Sequence, residues 1–178
     1  MKFKRLHPSE WEKYKGGILF IEQKVFSEDG KEVDTPEVIG FFAKNQKAIF
    51  IIAEDNNMVI GNTYGSPIED EIHMAPTPQA GMDPRFPQCM KGFPTFGKRN
   101  TIYVASIARL PEYQKKGIAT KLKKLFISEA KKEGYKFMTG FSNEDSLKLN
   151  MKFGAVINKV LEDWFNSGET YYQYYIKL

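Results

Sequence analysis

The chain has 178 residues, 42% of them apolar and 27% charged, which excludes a disordered or fibrous protein and suffices for a buried core without staples. Its single cysteine, Cys89, excludes an internal disulfide or a cysteine metal cluster, and His7 and His73 stand too far apart in pattern for a metal site. No run approaches a membrane span and MKFKRLHPSEW lacks the apolar stretch of a signal peptide; with a net charge of +4, one cytoplasmic domain over residues 1–178 is expected.

Phe3 to Leu6 reads as a short first strand. Pro8-Ser9-Glu10 signals a helix start, with Ser9 as cap and Glu12 three residues on. The helix is expected to reach about Phe26, interrupted or weakened at Gly16-Gly17, and to end in the turn Ser27-Glu28-Asp29-Gly30. Thr35 caps a second helix from Pro36 to Ala43, with proline at its favoured first position. Ala48 to Ala53 (AIFIIA) reads as a strand buried on both faces, and Asp55-Asn56-Asn57 turns it into the next strand, Met58 to Ser66. Residues 67–100 hold six prolines, several glycines and scattered Met and Phe, with no helical or strand period. A Pro/Gly-rich loop of that length is functional or disordered, and its Met and Phe content argues for a packed one. It reads as a lid over a substrate site, or else as a surface elaboration or oligomer contact, which leaves a homodimer open.

From Thr101, the residues Ile102, Val104 and Ile107 mark a strand that Pro111 and Glu112 break into a turn. Gln114-Lys115-Lys116-Gly117-Ile118-Ala119 then leads into a helix. Ile118, Leu122, Leu125 and Phe126 share one face, with Lys121, Lys123, Lys124 and Lys131 mostly between them. The first turn of a helix leaves N–H groups unpaired and carries positive potential, Gly117 lets an anion come close, and Lys115 and Lys116 add charge. The stretch can hold a phosphate or pyrophosphate, or it is simply a helix that begins Lys-Lys-Gly. Its spacing is neither the nucleotide triphosphatase loop nor the three-glycine dinucleotide turn. Arg109 to Lys136 carries nine Lys/Arg against three Glu, while Glu22 to Glu37 carries six acidic residues against two Lys. The basic patch is read as steering for a polyanionic cofactor in preference to nucleic acid. Phe137 to Phe141 reads as a strand, and Val156 to Phe165 with Thr170 to Leu178 as a hairpin about Asn166-Ser167-Gly168. Tyr171, Tyr172, Tyr174 and Tyr175 crowd the last strand, two to each face.

The stretch from Thr101 to Thr120 resembles the acetyl-CoA-binding segment of the GNAT superfamily of N-acetyltransferases. That family's loop reads Arg/Gln-x-x-Gly-x-Gly/Ala, here Gln114 to Ala119, preceded by the turn Leu110-Pro-Glu-Tyr113. A second block, Asn143-Glu-Asp-Ser146-Leu-Lys-Leu149-Asn150-Met-Lys-Phe153-Gly154-Ala155, is similar to the family's Asn-x-x-Ala/Ser-x-x-Leu-Tyr-x-x-x-Gly-Phe. The resemblance implies an α/β GNAT acyl-CoA N-acyltransferase fold, a mixed and largely antiparallel sheet flanked by helices. It implies acetyl-CoA as acetyl donor and an amine acceptor, and the residues themselves lead to the expectation of no metal and no membrane. It further implies that the central strand and the next parallel strand splay, and that Ile107, Ala108 and Arg109 there offer backbone groups to the pantetheine arm. Gln114, Lys115, Lys116, Gly117, Ile118, Ala119 and Thr120 hold the pyrophosphate on this reading, and Asn143, Ser146 and Asn150 face the cofactor from the other block.

The implied chemistry is direct attack of a neutral amine on the thioester, through an oxyanion held by backbone donors. An amine with a pKa of ~10.4 must lose a proton, and the departing thiolate must gain one. The family's usual acid, a tyrosine on the helix after Asn143, is Asn150 here, which can hydrogen-bond sulfur or orient water but cannot act as an acid. Tyr103 and the C-terminal tyrosines are substitutes for it. The central strand has Ala105 and Ser106 where some members carry an acidic base. Glu22, Glu28 and Asp29 read as a solvated acidic turn, or, facing the cleft, as a base that favours a cationic amine. The function expected is acetyl-CoA-dependent N-acetylation of a small-molecule or peptide amine. The alternatives are a non-catalytic acyl-CoA-binding or regulatory module, and nucleic acid binding with steep salt dependence.

Overall fold

The computed structural model of the chain describes residues 1–26, 34–70, 100–164 and 167–178. Among them are the strands β1 (Lys2–Arg5), β2 (Ile49–Asp55), β3 (Met58–Pro67), β4 (Thr101–Arg109), β5 (Phe137–Ser142), β6 (Val156–Leu161) and β7 (Tyr171–Lys177). The helices are α1 (Trp11–Phe26), α2 (Pro36–Lys44), α3 (Ile118–Lys132) and α4 (Glu144–Met151). The strands form one seven-stranded sheet in the order β1-β2-β3-β4-β5-β7-β6. Its β4–β5 pair is parallel, and the β1–β2, β2–β3, β5–β7 and β6–β7 pairs are antiparallel. The expected mixed, largely antiparallel sheet is therefore present. Two compact units divide the chain, Met1–Ser66 with Ala105–Glu129, and Pro67–Val104 with Ala130–Leu178.

In the first unit the hairpin β2–β3 turns at Asn56 and Asn57, at φ 49° and 62°, left-handed positions that asparagine tolerates. Ile49, Ile51, Ile52 and Ala53 are fully buried, as a strand apolar on both faces requires. Tyr64 of β3 stacks on Phe50 at 4.9 Å and meets Phe42 of α2 at 5.0 Å. A 3-10 turn, Pro8–Glu10, precedes α1 and starts one residue earlier than Ser9 suggests. His7 is extended, its N–H donates to Glu10 Oε2 at 3.1 Å, and Pro8 takes the first helical position. Proline's fixed φ suits that position and forces an extended residue before it. Glu12 is left to pair with Lys15 at 2.6 Å. Gly16-Gly17 does not interrupt α1, which is continuous from Trp11 to Phe26. A Cβ on Gly17 would stand 3.1 Å from the Val59 side chain, so the glycine is a contact with β3. Thr35 caps α2 as expected, accepting from Val38 N at 3.4 Å.

Gly61 sets how closely β3 approaches its neighbours. A Cβ there would lie 3.0 Å from the Ala108 carbonyl oxygen and 3.3 Å from Ile118 and Leu122. Gly61→Ala requires the Ala108 carbonyl to give by a few tenths of an ångström, so a loss of about 1–3 kcal/mol is expected, read as a fall in Tm. An unchanged Tm would show that β4 yields there without cost.

In the second unit β4 and β5 pair from Thr101↔Phe137 to Tyr103↔Thr139, and β5 and β7 pair from Phe137↔Lys177 to Ser142↔Tyr172. Alternation puts Gly140, Ser142, Tyr172 and Tyr174 on one face, and Tyr103, Thr139, Phe141, Tyr171 and Tyr175 on the other. Tyr171 stacks on Trp164 at 4.8 Å, and Trp164 meets Phe141 at 4.9 Å. The expected strand to Phe165 stops at Leu161, because Asp163 turns left-handed at φ 48° and its side chain accepts from Gly168 N at 2.9 Å. The lid reading of 67–100 falls mostly on residues 71–99, outside the described residues, as do 27–33 and 165–166; within it, 68–70 are helical.

Candidate active site

Beyond β4 the chain makes a 3-10 turn, Pro111–Tyr113, and Gln114 follows in extended conformation. Lys115 and Gly117 are both left-handed, at φ 59° and 74°, and Ile118 then opens α3 as a buried anchor. Lys121 N donates to Gly117 O at 3.0 Å, so the N–H groups of Ile118, Ala119 and Thr120 have no partner within the helix. A Cβ on Gly117 would meet nothing within 4 Å: the backbone conformation favours glycine there, and the space beside it is open. Lys116 places its ammonium 4.5 Å over the Tyr113 ring, and the first turn of α3 holds no acidic side chain to oppose an anion. The loop therefore offers open space, N–H donors and cations together. Of the β4 residues beside it, Ala108 is buried while Ile107 and Arg109 are half-buried, and Leu110 N donates to Ile60 O at 3.0 Å. Lys123 departs from the outer basic face of α3. It is 1% exposed, and burial pushes its ammonium down to about 7; Lys121, Lys124 and Lys131 stay exposed.

A second cluster surrounds Glu22. Trp11, Tyr14, Ile18 and Ile21 form the buried stripe of α1, and Glu22 lies on it rather than in a solvated turn, which corrects that expectation. Glu28 and Asp29 lie outside the described residues. Ser106 Oγ of β4 donates to both Glu22 oxygens, at 2.9 and 3.1 Å, and Asn62 Nδ2 donates to Oε1 at 2.5 Å. The Tyr64 hydroxyl stands 3.5 Å from Oε2 and donates to Asp34 Oδ2 at 2.8 Å. Burial pushes the Glu22 carboxyl up to about 8; the charge of Asp34 acts in the same sense, while Asn62, Ser106 and Tyr64 oppose it. So the carboxyl group that β4 lacks at Ala105 and Ser106 reaches that strand from α1. Sequence reading missed Asn62, Tyr64 and Asp34, although the stripe Trp11-Tyr14-Ile18-Ile21 was there to place Glu22 inward.

The third group gathers on α4. Asn143 caps the helix, its side chain accepting from Ser146 N at 3.1 Å. The carbonyl of Asn150 accepts from Phe153 and Ala155, closing the helix at Gly154, φ 82°. Asn150 is 4% exposed and donates through Nδ2 to Ser142 Oγ at 2.7 Å. The Tyr174 hydroxyl hydrogen-bonds with both of those side chains. Tyr103 belongs to the opposite face, where it meets Phe141 edge-on at 6.1 Å. Among the described residues no group of three His, Cys, Asp or Glu could hold a metal ion, and no helix is long and apolar enough to cross a membrane.

Comparison with known proteins gives the family and the fold. The acetyltransferase (GNAT) family model matches residues 16–155. No curated protein matches the chain. The fold is shared with ribosomal-protein-S18-alanine N-acetyltransferase from Escherichia coli, at TM-score 0.69 and 10% identity, covering 99% of this chain and 92% of that one. It is shared with aminoglycoside 6'-acetyltransferase type Ii, at TM-score 0.69 and 13% identity, covering 99% and 97%. It is also shared with yncA of Salmonella typhimurium, solved with its cofactor acetyl-CoA, at TM-score 0.67 and 14% identity, covering 100% and 94%. At these identities the structural likeness is one of fold, and it is the family match, over most of the chain and across both motif blocks, that makes this protein a member of the acetyltransferase (GNAT) family.

Proposed function

We propose that this protein is a cytoplasmic, single-domain enzyme that moves an acetyl group from acetyl-CoA to a primary amine of a small molecule or peptide. The observation that carries this reading is the loop Gln114–Thr120, where left-handed Lys115 and Gly117, open space and the N–H groups of α3 fit a pyrophosphate. When bound, acetyl-CoA supplies the activated acetyl thioester. Ile107, Ala108 and Arg109 offer it backbone groups, one N–H of which polarises the carbonyl, and Asn143 and Ser146 contact its far side. Glu22 takes the proton from the incoming amine by way of the Ser106 hydroxyl, which it already holds. A carboxylate raised to about 8 is a far better base than an ordinary one and is still ionised in part near neutral pH. The acceptor class is supported by two neighbours whose names specify a protein alanine and an aminoglycoside.

One observation favours a second reading. Asn150 stands where the family's proton donor is usually found, as it would in an acyl-CoA-binding module without turnover. Calorimetric titration with acetyl-CoA, followed by thiol release in a pool of small amines and short peptides, separates the two. Micromolar binding with amine-dependent thiol release supports the enzyme. Binding with no release supports the module, and absence of binding removes both.

A further inference from the structure

The strand order ends in two unlike edges. β1 is short and reads KFKR, so Lys2, Lys4 and Arg5 line it, the charged kind of edge that resists pairing with another chain. β6, at the other end, reads VINKVL and is exposed from Val156 to Val160, with Val156 at 48%, Ile157 at 43% and Val160 at 50%. Among the described residues no strand lies against its outer edge. Its pairing with β7 runs Val156↔Tyr175, Ile157↔Tyr174, Lys159↔Gln173, Val160↔Tyr172 and Leu161↔Tyr171. Asn158 is the extra residue of a bulge between Ile157 and Lys159, and its side chain donates to Gln173 Oε1. Counted by those pairings, β6 reads apolar, apolar, lysine, apolar, apolar. Val156, Lys159 and Leu161 share the face of Tyr171 and Tyr175, and Ile157 and Val160 share that of Tyr172 and Tyr174. Apolar side chains thus stand on both faces of the sheet, and only a strand added at the edge meets both at once.

We propose that the outer edge of β6 is the docking surface for a second copy of this chain, the two β6 strands running antiparallel about a two-fold axis at Lys159. Such an axis stands perpendicular to the sheet and keeps each face on its own side, so a residue can oppose only one from the same face. About Lys159, Val156 opposes Leu161 of the second copy and Ile157 opposes Val160 of the second copy, apolar against apolar throughout. The bulge is what permits this register, since without it Val156 and Leu161 would fall on opposite faces. A bulge often turns an edge away from pairing; this one gives the edge a pattern that matches itself. Lys159 meets its own counterpart at the axis, a like-charge contact that weakens the pairing and makes it sensitive to salt. Nothing in this pairing depends on the acetyl-transfer reading.

Sedimentation equilibrium of the purified full chain over a rising concentration series reads the association directly. A monomer–dimer equilibrium is expected, tightening as salt is raised. Ile157→Lys alters two symmetry-related pairs and is expected to weaken it about tenfold or more, while Lys159→Ala removes the like-charge contact and is expected to strengthen it about two- to fivefold. A chain that stays monomeric at every concentration overturns the proposal, as does a dimer indifferent to Ile157→Lys. The register is read separately, without need of the Ile157 variant. In a Cys89→Ser background, Lys159→Cys brings one cysteine from each copy together at the axis, whereas Val156→Cys leaves them about 13 Å apart, beyond the reach of a disulfide. Oxidation is expected to cross-link the first into a dimer and not the second. Equal cross-linking of both, or of neither, overturns the proposal.

Discussion

Glu22→Gln is expected to lower acetyl transfer about 100- to 1,000-fold, the usual range for loss of a general base, while acetyl-CoA binding stays unchanged. The side chain keeps its volume, and the cofactor loop stands on α3, in contact with other residues. The sign of the pH dependence follows from the direction of the shift. Burial raises Glu22 to about 8, so the carboxylate that accepts the amine proton becomes populated as pH rises through that value. Wild-type turnover should therefore climb with a limb near pH 8, and that limb should vanish in the glutamine variant. A milder variant, Ser106→Ala, should keep the limb and lose part of the rate, because it removes the hydroxyl between base and amine but leaves the base. An unaltered pH profile in Glu22→Gln would assign the cluster of Glu22, Asn62, Tyr64 and Ser106 a structural task alone.

Gly117→Glu is expected to weaken acetyl-CoA binding at least ~100-fold, a change of about 2.7 kcal/mol or more, measured by calorimetry. Two causes act together. The position is left-handed, at φ 74°, which costs a residue with a side chain of order 1 kcal/mol. More importantly, the new carboxylate fills the open space beside the N–H groups of α3 and repels the pyrophosphate in the one place where the loop attracts it. Gly117→Ala separates the terms. Its Cβ meets nothing within 4 Å, so only the backbone strain remains, and binding should fall by about tenfold or less. Unchanged affinity in Gly117→Glu would show that the phosphate groups bind elsewhere.

Much of this site is legible in the residues themselves, for local reasons. The strand, basic loop and helix of Thr101 to Thr120 are set by near-neighbour chemistry: proline ends the strand, glycine supplies the left-handed turn, and the Ile118-Leu122-Phe126 period defines the buried face of α3. Asn143 capping α4 is local in the same way. Where chain neighbours do not decide, the reading is incomplete. Pro8 opens a 3-10 turn with His7 as its N-cap, ahead of α1, and Gly17 is a contact with Val59, a fact visible only once α1 meets β3. Lys123 follows Leu122 at the edge of the apolar stripe, so helical period alone does not show that it is buried. Glu22 sits on the stripe of α1, yet its partners Asn62, Tyr64 and Ser106 come from β3 and β4, about forty to eighty residues away. Tyr174 is the clearest case. Alternation sorts the four tyrosines into two pairs, but which pair faces Asn150 depends on the register Gly140↔Tyr174, and a one-residue slip would reverse it.

The family membership and the two polar clusters converge on a single claim, that acetyl transfer to an amine takes place on this chain. The most direct measurement incubates the purified protein with acetyl-CoA carrying an isotopic label in the acetyl group, together with a mixture of small amines and peptides, and follows the label by mass spectrometry. The account predicts label in an amide product, equal in amount to the CoA released and lost in Glu22→Gln. Label that remains on acetyl-CoA, with the cofactor bound and every amine unchanged, would contradict it.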